Sequence, residues 1–132
     1  MTKSGFSTFT VPNNVVLNTQ EKVIGTWING KDLYEITFSG TIKSTFDYSS
    51  TAWQKVYSMP GITCVEFTGW ARYVNENGVA GRFPIPSTYV TGGINFALQG
   101  GYHETIGDVI LLVVNSAYYN QPYNLTVRYY KN

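Results

Sequence analysis

Lys22-Val-Ile-Gly-Thr-Trp-Ile-Asn-Gly-Lys-Asp-Leu-Tyr-Glu-Ile-Thr-Phe38 decides the fold class. Asn29-Gly30 tolerates the positive φ angles of a type I′ turn, whose twist suits two antiparallel strands. On its second strand Tyr34, Ile36 and Phe38 alternate with Leu33, Glu35 and Thr37, so the Tyr/Ile/Phe side is expected to face a core. The same period of two recurs along the chain. Ile62–Val74 carries Val65, Phe67, Ala71 and Tyr73 on one side, with Gly69 marking a bulge or a close backbone approach. After an Asn75–Gly78 turn, residues 79–83 return as a short strand that Pro84 and Pro86 stop or push to an edge.

Ile94, Phe96 and Leu98 define a further alternating strand, closed by Gly100-Gly101. Asp108–Asn115 is apolar on both sides, as a strand covered on both faces must be. Leu125, Val127 and Tyr129 alternate with polar partners in the final stretch. Between the hairpin and Ile62 the polar segment 39–59 carries either a short edge strand or a loop. About seven to eight strands with no amphipathic helix imply an all-β domain, an antiparallel β-sandwich of jelly-roll-like or related design.

At 132 residues and 14.8 kDa the chain is one domain, large enough to bury a core without staples. Nine basic and eight acidic side chains nearly cancel, which argues against a nucleic-acid partner bound through many phosphates. One cysteine, Cys64, and one histidine, His103, exclude an internal disulfide, a multi-cysteine zinc site and any centre needing two histidines. No apolar run approaches the roughly eighteen residues of a membrane helix, so no membrane insertion is expected. No secretory signal opens the chain, and synthesis is expected in the cytoplasm.

Catalytic constellations are weak. His103 next to Glu104 reads as a polar loop residue, and Ser87 and Ser116 lack a Gly-x-Ser-x-Gly setting. Glu104 with Asp108, or Glu66 with Glu76, could be offered as glycosidase pairs, but such pairs occur in any chain with eight acids. Glu66 also falls on the solvated side of its strand. Cys64 has no basic neighbour to activate it. The glycine pairs at 92–93 and 100–101 match no phosphate loop, and the Asn124-Leu-Thr126 sequon is of a length that arises by chance. No metal and no cofactor are expected, and the chain reads as a non-enzyme.

Aromatic residues are the unusual feature, at 16% with eleven tyrosines. Tyr34 and Tyr129 fit a core. Tyr118, Tyr119, Asn120 and Tyr123 lie in a stretch without strand alternation, and the three tyrosines fit a sandwich core as well as they fit a surface. Together with Trp53 they are the expected receptor- or glycan-binding residues, because neutral rings and amides suit sugar faces and hydroxyls. The same composition suits a contact between protomers.

Glu21-Lys-Val-Ile-Gly-Thr-Trp-Ile-Asn-Gly-Lys-Asp-Leu-Tyr34 resembles an opening found in many bacteriophage and prophage fibre or tail-associated proteins, Glu-Lys-Val-Val/Ile-Gly-x-Trp-Ile-Asp/Asn-Gly-Lys-x-Leu-Tyr. Gly69-Trp-Ala-Arg-Tyr followed by Phe83-Pro-Ile-Pro86 is similar to that family's Gly-Val-Ala and Pro-Ile-Pro elements, with Trp70 in place of Val. Leu125-Thr-Val-Arg-Tyr-Tyr-Lys131 is similar to its closing strand. The resemblance runs from about Asn18 to Lys131, omits 39–59, and transfers no catalytic residue.

It implies a β-sandwich head over residues 19–132, with residues 1–18 as an arm or attachment segment. It further implies a virion location, self-association as a homotrimer, and contact with other virion proteins. The expected role is a tail or head fibre tip that touches the host surface, with a host-surface glycan as ligand. The alternatives are a capsid or tail decoration or connector protein, and a free carbohydrate-binding module.

Overall fold

The computed structural model describes residues 15–17, 20–49, 52–90 and 94–132. The expected arm over residues 1–18 and the glycine pair at 92–93 therefore lie outside the described residues, apart from 15–17. Ten strands follow in chain order: β1 (Val15–Leu17), β2 (Lys22–Thr26), β3 (Asp32–Thr41), β4 (Trp53–Ser58), β5 (Ile62–Val74), β6 (Ala80–Ile85), β7 (Ser87–Val90), β8 (Ile94–His103), β9 (Asp108–Val113) and β10 (Pro122–Lys131). They form two antiparallel sheets. One runs β1-β3-β10-β5-β6 with β2 also on β3, the other β4-β9-β8-β7. The chain is all β, as its alternation predicts. Short pieces such as β1 and β7 add to the seven or eight strands that the pattern shows.

The opening hairpin pairs β2 with β3, but its turn is not type I′. Asn29 keeps a negative φ and only Gly30 is left-handed, at +85°. Gly30 N–H donates to Trp27 O at 2.8 Å and Trp27 N–H to Lys31 O at 2.8 Å. That is a three-residue loop, a type I turn closed by a glycine bulge, in which Asn29 accepts from Lys31 N–H instead of adopting a left-handed backbone. The expected facing of β3 holds: Ile36 and Phe38 are buried. Every residue of β2 is exposed, so the hairpin's first strand is a bare edge.

Between the sheets, alternation sorts the core. Leu125, Val127 and Tyr129 of β10 meet Val109, Leu111 and Val113 of β9, all fully buried or within one per cent of it. Each such side chain contributes roughly 1.5–3 kcal/mol relative to exposure. β5 has the expected bounds, and Gly69 is the close approach that its position suggested. A Cβ there would sit 1.9 Å from the Asn124 carbonyl oxygen of β10, on a backbone with φ +154°. Gly100 and Gly101 do not close β8; they lie inside it. Gly100 faces inward, where a Cβ would press on the Phe67 side chain at 2.9 Å, so the missing side chain is what lets the sheets meet. β6 is an edge strand that admits Pro84, and Pro86 marks the crossing to β7 in the other sheet.

The segment 39–59 resolves into the end of β3, a loop and β4, an edge strand of the second sheet. That edge is closed by side chains. The Gln54 amide bonds both the N–H and the C=O of Lys43. The Asp47 carboxylate accepts from Lys55 N–H at 2.8 Å. Burial opposes ionisation of Asp47, but bonds from Lys43 and Lys55 N–H, with both lysine charges, outweigh it and hold the carboxyl below its usual range.

Two outcomes follow from this packing. Gly69→Ala forces β10 away from β5 and lowers stability by about 2 kcal/mol or more in denaturant titration. Gly25→Ala, with nothing within 4 Å, stays within about 0.5 kcal/mol. The second concerns alkali. Burial raises the pKa of Tyr48, Tyr57, Tyr102, Tyr118, Tyr123 and Tyr129. The fold thus holds neutral phenols that the unfolded chain ionises near pH 10. Stability is complete below about pH 10 and falls above it, by up to about 1.4 kcal/mol per pH unit for each such tyrosine, read as a falling denaturation midpoint.

Candidate aromatic binding face

The loop from β9 to β10 carries three of the five expected binding residues, Tyr118, Tyr119 and Asn120, and it is built as a plug; Tyr123, the fourth, is the second residue of β10. Asn115 Oδ1 caps a single 3-10 turn, Ser116–Tyr118, by accepting from Ala117 N–H at 2.9 Å. The loop carries the chain from one sheet to the other across an end of the sandwich, so its side chains close the core there. Tyr118 is 1% exposed, edge-on to Tyr73, with its hydroxyl 3.4 Å from Ser87 Oγ. Tyr123 is also 1% exposed, and its hydroxyl has no partner among the described residues. Tyr119 is half-buried against Phe46. Asn120 is exposed in a left-handed turn, its N–H on Ile42 O. The rings of Tyr118 and Tyr123 therefore face inward and offer no surface to a sugar. The crossing between sheets turns Tyr118 inward, whereas Tyr123 is turned inward by the alternation of β10, which buries Tyr123, Leu125, Val127 and Tyr129.

Trp53, the fifth, stands elsewhere. It opens β4 on the outer face of the second sheet, 36% exposed. With Val109, Leu111 and Val113 turned to the core, β9 turns Asp108, Ile110 and Leu112 outward, and β8 likewise turns Gln99, Gly101 and His103 outward. His103 receives two rings: Trp53 edge-on at 5.3 Å and Tyr48 tilted at 5.0 Å. Below them Tyr48 donates its hydroxyl to Asp108 Oδ2 at 2.7 Å, and Asp108 is only 2% exposed. Burial first, and then the Asp108 hydrogen bond and charge, push the Tyr48 phenol far above its usual range, so it remains the donor.

Sequence reasoning found Trp53 and set His103 aside as a lone loop histidine; it lies at the end of β8, in the cluster. Tyr48 was missed. It reaches the face because the loop after β3 folds along β4, with Asp47 N–H on Trp53 O, and because Tyr48 and Ser49 both take left-handed backbone angles. No periodicity announces such a turn. A signal was present in composition alone, since Phe46 and Tyr48 are aromatics in an otherwise polar stretch.

The acids offered as catalytic pairs are placed differently from one another. Asp108 is held by Tyr48, whereas Glu104 is exposed. Glu66 shares Arg128 with Glu35 on the outer face of the first sheet. Glu21 holds both the Tyr129 hydroxyl and Lys131. The Cys64 thiol is pushed up to about 12 by burial, which keeps it protonated and unreactive. Among the described residues no three His, Cys, Asp or Glu side chains converge as metal ligands would, and no helix is long and apolar enough to cross a membrane. No family model matches the chain, and neither do curated proteins or solved structures.

Two phenylalanine substitutions separate the two kinds of tyrosine. Tyr48→Phe strands a buried carboxylate and costs about 1–3 kcal/mol. Tyr123→Phe removes an unsatisfied buried hydroxyl, so stability stays level or rises by up to about 1 kcal/mol. Chemical denaturation of both proteins reads the opposite signs directly.

Proposed function

We propose that the chain is a non-enzymatic binding head of a bacteriophage particle, a fibre tip that holds a host-surface glycan on the outer face of its second sheet. The observation that carries this reading is the Trp53–His103–Tyr48 group. It is half-exposed, fixed from beneath by a buried carboxylate, and flanked by the Gln99 and Lys55 positions of neighbouring strands. Apolar ring surface beside hydrogen-bonding side chains on rigid strands is what a sugar requires: C–H faces against rings, hydroxyls against amide and ammonium groups. The resemblance of residues 21–34 to phage fibre heads supports the same reading. So does the use of carboxylates as structural partners of Arg128, Lys131, Lys43 and Tyr48.

A second reading, a decoration or connector protein of the particle, is favoured by the bare β2 edge. Val23, Ile24 and Ile28 are 54%, 39% and 93% exposed around it, a surface suited to another virion protein or to further copies in a homotrimer.

Adsorption of labelled protein to intact bacteria or isolated envelope polysaccharide, with light scattering on the same samples, tests both readings. Trp53→Ala is expected to lose about tenfold or more of the adsorption while keeping its oligomeric mass. Equal adsorption by the variant overturns the glycan face. A wild-type protein that ignores cells, yet falls to the 14.8 kDa monomer on Ile24→Asp, is a connector instead.

A further inference from the structure

A cleft of about 460 Å³ opens where the β5–β6 turn faces the start of the β9–β10 loop, lined by Tyr73, Asn75, Glu76, Asn115 and Ser116 among others. It is separate from the Trp53 face and does not depend on it. Its volume lies within the range of about 300–1,000 Å³ usual for small-molecule sites.

Its two amides are set by the main chain. Asn75 Oδ1 accepts from Asn77 N–H and Val79 N–H, each at 3.0 Å, and Asn115 Oδ1 accepts from Ala117 N–H at 2.9 Å. With both carbonyl oxygens occupied, each side chain is held in one orientation, and its NH₂ group has no partner among the described residues. Four N–H donors thus stand ready without the entropy of a free side chain.

Glu76 adds an exposed acceptor carboxylate and Ser116 an exposed hydroxyl. Tyr73 supplies a ring wall, steadied edge-on by Phe83 and Tyr118, each with ring centres 5.4 Å away. No lysine or arginine lines the cleft, so an anion would meet only the Glu76 charge. A cation would gain the Glu76 carboxylate but leave the four amide N–H donors without an acceptor. What fits donors, acceptor and ring together is a neutral ligand dense in hydroxyls.

We propose that this cleft is a separate carbohydrate subsite, taking one neutral sugar ring with a C–H face toward Tyr73 and hydroxyls bridging Asn75, Asn115 and Glu76. A small ligand in an open cleft binds weakly, with a Kd of about a millimolar.

The test is titration of the whole protein with free glucose, galactose, mannose and N-acetylglucosamine, followed by NMR of the asparagine side-chain amides. At least one sugar is expected to shift the Asn75 and Asn115 NH₂ signals. Asn75→Asp and Asn115→Asp keep the oxygen that the backbone needs but remove the donors, and are expected to weaken binding about tenfold each. Trp53→Ala leaves this binding unchanged, which separates the subsite from the outer-face reading. If the aspartate variants melt early, Glu76→Ala, at an exposed side chain without a bonded partner among the described residues, carries the same expectation of loss. Silence of both amides toward all four sugars, or wild-type binding by the folded variants, overturns the proposal.

Discussion

The first sheet depends on one strand, β10. It pairs with β3 along one edge and β5 along the other, so the two halves of that sheet have no continuity without it. The union is distant in sequence: the Thr37 and Thr126 hydroxyls that bond across it at 2.8 Å are 89 residues apart. Closing so long a loop costs entropy before any contact compensates. The compensation is concentrated in the same strand. Leu125, Val127 and Tyr129 are buried without remainder, the Tyr129 hydroxyl is taken by Glu21, and the backbone at Asn124 presses against a residue that must be glycine.

The outer face of the second sheet is held by a different device. Asp47 bonds Lys43, the Lys55 N–H and the Trp53 carbonyl, which closes the free edge of β4. Those contacts also deliver Tyr48 to Asp108 in the next turn of chain. Edge protection and assembly of the aromatic group are therefore one structure. A change at Asp47 therefore disturbs both.

Much of the framework was legible because each strand's pattern is local. β5 could be bounded to the residue, β9 showed its double burial in an unbroken apolar run, and β10 displayed its buried side in every second residue. The details that were misread depend on neighbours. Asn29-Gly30 permits a type I′ turn, but the Asn29 side chain satisfies Lys31 N–H in another. Gly100-Gly101 looks like a strand end until Phe67 of the opposite sheet is seen to need the space. The tyrosines at 118 and 123 looked like surface residues because their stretch shows no alternation, yet the bridging loop spends Tyr118 on the gap between the sheets and Tyr123 already begins the buried row of β10. Tyr48 and His103 meet only after the chain has folded over itself, and no spacing between residues 48 and 103 encodes that encounter.

The position of β10 also bears on synthesis. Translation delivers strands in order, and β10 is the last of those described. Until residues 122–131 leave the ribosome, β3 and β5 have edges waiting for a strand that does not yet exist, with Ile36, Phe38 and Ala71 uncovered. Such paired vacancies recruit strands from other chains as readily as their own. The nascent protein is therefore most exposed to aggregation just before residues 122–131 emerge, and a chain arrested between β9 and β10 is more hazardous than one arrested before β3 is made.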